Sequence, residues 1–152
     1  MIASAEEIGL SALNPRLSIE SSFAILAQCG EDLTNCFGGH KLRSDIDKLN
    51  FVLQSTPDEL ICKMQENNDE KLNTLLRLYA GLAYKIQYFK PQLFGFVSLR
   101  LVELTIKTGL NQYSPLAFAH FGCVLVTSGQ VNEGCRLGEF YLESTSIDVT
   151  MC

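Results

Sequence analysis

The chain of 152 residues contains no tryptophan, only two histidines and four prolines, and its charged residues make up 19% of the sequence. Its net charge is −5, and its basic residues are scattered. Because nucleic-acid binding relies on a basic surface, this balance argues against a nucleic-acid partner. No apolar run approaches the roughly 20 residues that a membrane-spanning helix needs, so no membrane span is predicted.

Recognisable targeting and catalytic motifs are also missing. The N-terminus has no basic start, and Glu6 and Glu7 interrupt its apolar residues, so it does not read as a secretory signal. We therefore expect a cytoplasmic protein with reduced thiols. None of the six cysteines forms a Cys-x-x-Cys pair, and P-loop, kinase, hydrolase-elbow, zinc-protease and dinucleotide-binding motifs are absent. The sequence predicts a chain that is not an enzyme and holds no cofactor or metal.

What the chain does contain is apolar residues, 47% of the total, which are enough for one folded domain over residues 1–152. These residues recur at helical spacing, and no hairpin signal such as Asn-Gly occurs. We predict an all-α fold of about seven helices in an antiparallel, tetratricopeptide-like array, although no strict 34-residue period tiles the chain. The predicted helices cover about residues 2–13, 18–37, 44–53, a short one from 57, 69–86, 91–109, 115–128 and 131–142.

Local signals suggest where several helices begin and end. Thr56 and Ser114 are predicted N-caps, each followed by a proline at the first helical position. Gly109 and Gly129 are predicted helix ends, as is the pair Gly38–Gly39.

The stretch Ser114–Gly129, "SPLAFAHFGCVLVTSG", is apolar nearly all round and is predicted to form a central helix with neighbours on more than one side. It contains His120 and Cys123, three residues apart. A nucleophilic or metal-binding pair would need activating or further ligating groups, and the surrounding residues are apolar. We therefore predict core or half-buried packing for both residues.

Small residues within and after this stretch favour close packing of helix backbones. We expect such packing at Pro115, Ala119, Gly122, Gly134 and Gly138. Glu103 is expected to face solvent or to lie beside Arg100. An aromatic-rich zone is expected to lie mostly in the core, and its remainder could form a partner groove. The zone comprises Tyr79, Tyr84, Tyr88, Phe89 and Phe94.

Three sequence motifs occur in order within Lys90–Glu143: VELTIKTG at Val102–Gly109, SPLAFAHFG at Ser114–Gly122 and GCRLG at Gly134–Gly138. This segment resembles a tetratricopeptide-like helical region of large multidomain signalling proteins. Those proteins combine a serine/threonine-kinase-like domain, an AAA-type ATPase, the helical region, a GAF domain and often a histidine kinase. These motifs describe packing and carry no catalytic residue. The resemblance therefore implies that the chain is a non-catalytic segment of a larger protein, or a short relative of such a segment.

From these features we expect a helical interaction or relay module associated with signal-transduction ATPases or kinases, including two-component systems. Its partner would be a protein or a neighbouring signalling domain. Two alternatives stay open. One is a small cytosolic thiol-dependent enzyme or redox sensor in which His120, Cys123 or Cys135 is functional, and the other is a small-molecule sensor with a pocket among the aromatic residues of 79–96.

Overall fold

The computed structural model describes residues 15–31, 33 and 39–149, and within them the chain forms helices and no strand. The all-α prediction is confirmed for this part of the chain, whereas the predicted helix 2–13 lies outside it. The helices are α1 Pro15–Gln28, α2 Gly39–Gln54, α3 Asp58–Cys62, α4 Glu70–Phe89, α5 Phe94–Thr108, α6 Ser114–Thr127 and α7 Val131–Val149, with a 3-10 turn at Pro91–Leu93 before α5.

The first two helices have different bounds from those predicted. α1 ends at Gln28 instead of continuing to residue 37, because Gly30 adopts a left-handed φ of +86°. The amide of Glu31 then donates to the carbonyl of Leu26 at 3.0 Å, which is the hydrogen bond of a Schellman helix end. Gly39 begins α2, five residues before the predicted start at Ser44.

Two predicted N-caps are wrong, and one acidic cap is present. Pro57 occupies the N-cap of α3, and the Thr56 hydroxyl donates back to the carbonyl of Val52 at 2.8 Å. Ser114 is the first residue of α6 rather than its cap. By contrast, the Asp69 carboxylate at the start of α4 accepts from the amides of residues 71 and 72, at 2.9 and 3.3 Å.

The core lies where one face of each longer helix meets its neighbours, and α5 contacts three of them. α6 contacts both α5 and α7, α4 contacts α1 and α5, and α2 contacts α5. The prediction that residues 115–128 have neighbours on more than one side is therefore confirmed, whereas the more central helix is α5, which contacts α2, α4 and α6. Fully buried core side chains include Ile19, Leu26, Leu53, Tyr79, Ile86, Leu101, Phe118, Phe121, Leu125 and Leu137.

The loop before α4 is joined to the loop before α6 by a short backbone bridge. The amide of Leu110 donates to the carbonyl of Gln65 at 2.9 Å, and the amide of Asn67 donates to the carbonyl of Leu110 at 2.7 Å. Gly109 ends α5 as predicted, with a φ of +107°. A Cβ atom at this position would overlap the Gln65 carbonyl oxygen, so both the backbone angle and the bridge favour glycine.

Arg136 on α7 joins the last helix to the α2–α3 connection. Its guanidinium pairs with Asp58 at the start of α3 and with Glu133 one turn earlier on α7. It also donates to the carbonyl of Leu53 at 3.0 Å. No helix in the described ranges is both long enough and apolar enough to cross a membrane.

Candidate functional site

The backbones of α6 and α7 approach closely at Gly122 and Gly134. A Cβ atom on Gly122 would lie 2.7 Å from the carbonyl oxygen of Gly134. A Cβ on Gly134 would lie 2.6 Å from the carbonyl oxygen of Gly122 and 2.5 Å from Val126 Cγ2. Real Cβ atoms do not come this close to backbone oxygens, so the crossing requires glycine on both helices.

The other predicted packing residues take less demanding positions. Pro115 lies in the first turn of α6, where its missing amide hydrogen costs no helical hydrogen bond. Ala119 is half-buried. A Cβ on Gly138 would meet no described atom within 4 Å, so the close helix contact does not depend on glycine there.

His120 and Cys123 lie one turn apart on α6 in different surroundings. The imidazole of His120 is half-buried against the ring of Phe94, with centroids 5.2 Å apart and planes tilted by 59°. Its Nδ1 is buried and has no hydrogen-bond partner among the described residues. Burial lowers the pKa of His120 below the ordinary value of 6.5, which favours the neutral imidazole.

The four cysteines that the structure describes are not packed in the core. Cys123 on α6 and Cys135 on α7 are both exposed, as are Cys29 and Cys62. The predicted core or half-buried packing is therefore correct for His120 and wrong for Cys123, because position 123 lies on a side of α6 that no described helix covers. Across the described residues, no group of three His, Cys, Asp or Glu side chains could hold a metal ion.

A charged cluster connects the end of α1 with α4 and α5. Arg100 Nε donates to Glu31 Oε2 at 2.7 Å, and Arg100 Nη2 donates to Glu31 Oε1 at 2.9 Å. The Tyr79 hydroxyl donates to Glu31 Oε2 at 2.7 Å, and Arg100 Nη1 pairs with Glu103 Oε2 at 3.2 Å. The expected position of Glu103 beside Arg100 is confirmed, and Glu31 completes a cluster that sequence reasoning missed.

The cluster fixes the charge of its members. The hydrogen bonds from Arg100 hold the pKa of Glu31 below its ordinary value of 4.5. The same contact raises the pKa of Arg100, while burial and the bond to Glu31 raise the pKa of Tyr79. Glu31 is therefore a carboxylate, Arg100 a cation and Tyr79 a neutral donor at physiological pH.

A cavity of about 250 Å³ opens beside this cluster, between the end of α1, α2 and α5. Its wall includes Glu31, Arg100 and Glu103 from the cluster, and Lys41 and Asp45 from α2. The cavity is smaller than the roughly 300–1,000 Å³ of most small-molecule pockets. Its charged wall suits a small polar ligand.

The aromatic-rich zone is split between the core and the surface. Tyr79 is fully buried, whereas Tyr84 and Tyr88 are each 66% exposed and Phe89 is 49% exposed. The rings of Tyr84 and Tyr88 meet edge to face, with centroids 5.7 Å apart and an interplanar angle of 67°. The prediction that most of the zone is core is wrong, because the last turns of α4 present these rings on the side opposite its packed face.

Comparisons of the chain with known protein families, with curated proteins and with solved structures found no match in any of the three.

Proposed function

We propose that this chain is a non-catalytic helical interaction or relay module that works with signal-transduction ATPases or kinases. In this proposal its helices stack antiparallel in a tetratricopeptide-like manner and hold a protein partner, or a neighbouring signalling domain, on an outer face. Small shifts between stacked helices would pass a change at that face to the rest of the protein. The resemblance of Lys90–Glu143 to the helical region of multidomain signalling proteins supports the class of partner.

The observation that carries the proposal is the pair of exposed tyrosines on α4. Tyr84 and Tyr88 each leave two thirds of the side chain in contact with water while their rings support each other. Large amphipathic rings of this kind bury much area at low entropic cost, and tyrosine is among the residues enriched at the centres of protein interfaces.

The test is calorimetric titration of the full chain with purified kinase-like, ATPase, GAF and histidine-kinase domains of the signalling proteins it resembles. We expect one of them to bind, and Tyr84→Ser with Tyr88→Ser to weaken that binding by about tenfold or more. Phe51→Ser on α2 is the matched control, because Phe51 is 70% exposed and lies on a different helix. Absence of binding to all four domains, or equal losses in the two variants, would contradict the proposal.

The charged cavity favours a second function, that of a small-molecule sensor. Sequence reasoning placed such a pocket among the aromatic residues of 79–96, and one of them, Phe96, lines the observed cavity. A panel of small ammonium, guanidinium and carboxylate compounds should then contain one that raises the melting temperature. If the ligand is a carboxylate, Lys41→Ala should abolish that shift, since Lys41 is a cation in the cavity wall and has no part in the Glu31–Arg100 pair.

In the remaining alternative, a thiol-dependent enzyme or redox sensor, the reactive group is the thiol of Cys123 or Cys135. Since both side chains are exposed, they should react with a thiol reagent in the folded protein, so reaction alone does not test this function. Its specific expectation is faster labelling of one cysteine than of exposed Cys29 and Cys62 under the same conditions. Equal rates at all four positions would contradict it.

A further inference from the structure

The outer side of α4 is one continuous stripe of exposed residues along the whole helix. Positions 70, 74, 77, 81, 84 and 88 recur at steps of three or four and are all exposed, while the opposite side packs against α1 and α5. We call these positions the α4 outer stripe. Its members are Glu70, Thr74, Arg77, Gly81, Tyr84 and Tyr88.

The glycine at the middle of this stripe, Gly81, makes no close packing contact within the described part of the chain. Gly81 belongs to the interior of a 20-residue helix, and its φ is not in the left-handed region. A Cβ atom there would meet no described atom within 4 Å. Glycine inside a helix costs about 1 kcal/mol relative to alanine, and here nothing in the described part of the chain compensates that cost.

The two halves of the stripe differ in chemistry. Arg77, in the N-terminal half, forms no ion pair within the described residues, and neither does Glu70. The C-terminal half carries the edge-to-face pair of Tyr84 and Tyr88. An exposed arginine gains energy over an aromatic face, and a tyrosine hydroxyl donates well to a carboxylate. The N-terminal half of the stripe is therefore chemically complementary to its C-terminal half.

We propose that the α4 outer stripe pairs with the same stripe of a second copy of this chain, antiparallel and crossing at Gly81. In that arrangement, two-fold symmetry brings Arg77 of each copy opposite Tyr84 of the other, because both lie three or four residues from the crossing point. Tyr88 of each copy comes opposite Thr74 and within one turn of Glu70 of the other. The two glycines let the backbones approach closely at the axis.

This proposal rests on the proposed interaction role and deepens it by naming a second copy of the chain as a further partner of the surface at Tyr84 and Tyr88. α4 is about 30 Å long, so one helix crossing buries less than the roughly 800 Å² per partner of a standard stable interface. We therefore expect a weak dimer that forms as the concentration rises from about 10 µM to about 1 mM. A weak, symmetric contact suits a module whose pairing is strengthened when larger proteins bring copies together.

The test is sedimentation equilibrium of the full chain and its variants over that concentration range. Gly81→Leu should weaken dimerisation by about tenfold or more by filling the crossing point, and Tyr84→Arg should do so by facing the partner's arginine at position 77. The double exchange Arg77→Tyr with Tyr84→Arg should restore dimerisation, because each copy again presents one arginine opposite one tyrosine. Gln87→Arg is the matched control, since Gln87 is exposed on α4 but outside the stripe.

The outcomes separate this inference from the proposed function. A chain that stays monomeric at about 1 mM overturns the self-pairing, and so does a dimer that Gly81→Leu and Tyr84→Arg leave unchanged or that the double exchange does not restore. Either result, combined with binding to a signalling domain, would assign the stripe to a different protein and leave the proposed function in place. Thermal melts of every variant establish that the substitutions at these exposed positions have not unfolded the chain.

Discussion

The carboxylate of Glu31 accepts two hydrogen bonds from the guanidinium of Arg100, which lies 69 residues later in the chain, at 2.7 and 2.9 Å. The pair ties the segment after α1 to α5, and the Tyr79 hydroxyl adds α4 through its bond to Glu31 at 2.7 Å. The side chain of Glu31 is 13% exposed and that of Arg100 is 33% exposed, so water screens the pair less than it screens a fully exposed ion pair.

Glu31→Gln should destabilise the chain by about 1–3 kcal/mol, because the amide replaces one of two acceptor oxygens with a donor and leaves Arg100 partly unpaired. Thermal or urea unfolding measures this loss. Asp45→Asn is the matched control: Asp45 pairs with Lys48, whose side chain is 73% exposed, and exposed pairs contribute about 0–1 kcal/mol. Equal losses in the two variants would contradict the importance of the Glu31–Arg100 pair.

The same contact predicts how stability depends on acidity. Since Arg100 lowers the pKa of Glu31 below 4.5, the unfolded chain binds more protons than the folded chain as the pH falls below that value. The contribution of Glu31 is therefore fully present above pH 4.5 and is lost as the pH falls through the folded-state pKa. The stability difference between the wild type and Glu31→Gln should shrink over this window, and a constant difference would contradict the assignment.

Sequence reasoning located most helices but not this cluster, for a physical reason. Helical spacing and glycine ends are local signals, so the start of α7 at Val131 and the end of α5 before Gly109 follow from neighbouring residues. The pairing of Glu31 with Arg100 depends on how distant elements pack. The prediction that the first helix continues to residue 37 also obscured this pairing, because a helix over residues 18–37 would have placed Glu31 on a helical surface.

The exposed tyrosines could have been predicted from the same periodicity. The buried face of α4 includes Leu76, Tyr79, Ala83 and Ile86, and residue 84 lies on the opposite side of a helix with that face. Grouping the aromatic residues by composition concealed this difference.

The close approach of the two helices at Gly122 and Gly134 was anticipated from residue size alone. Residue size did not distinguish these positions from Gly138, where a Cβ atom would meet no described atom within 4 Å.

Gly134→Ala should lower the free energy of unfolding by about 1–3 kcal/mol, because the added methyl group meets the backbone of α6 at Gly122 and the side chain of Val126. For a domain of this size each 1 kcal/mol corresponds to about 2–4 °C in melting temperature. Gly138→Ala, one turn later on α7, should leave stability unchanged or raise it by up to about 1 kcal/mol, because alanine favours the helix. A loss at Gly138 equal to that at Gly134 would contradict the close crossing.

Gly109→Ala should disrupt the bridge between the loops before α4 and α6. Alanine at a φ of +107° is strained, and its Cβ would overlap the Gln65 carbonyl oxygen. Gly129→Ala is the control, because its φ is also positive, at +89°, but no described atom lies within 4 Å of a Cβ there. Both variants should lose about 1–2 kcal/mol from backbone strain. Only Gly109→Ala should also lose hydrogen-exchange protection at the amides of Asn67 and Leu110, and retained protection would contradict the role given to Gly109.

His120 predicts a second acid-dependent loss of stability, at a higher pH than that of Glu31. Burial lowers its pKa below 6.5, so the unfolded chain binds a proton in a range where the folded chain keeps the imidazole neutral. The chain should therefore lose stability as the pH falls from 6.5 towards the folded-state pKa, and His120→Gln should remove this component of the pH dependence. His40→Gln serves as the control, because His40 is exposed on α2. Melting temperatures measured across this range should fall less steeply in His120→Gln than in the wild type or the control, whereas three parallel curves would show that the buried imidazole is not responsible.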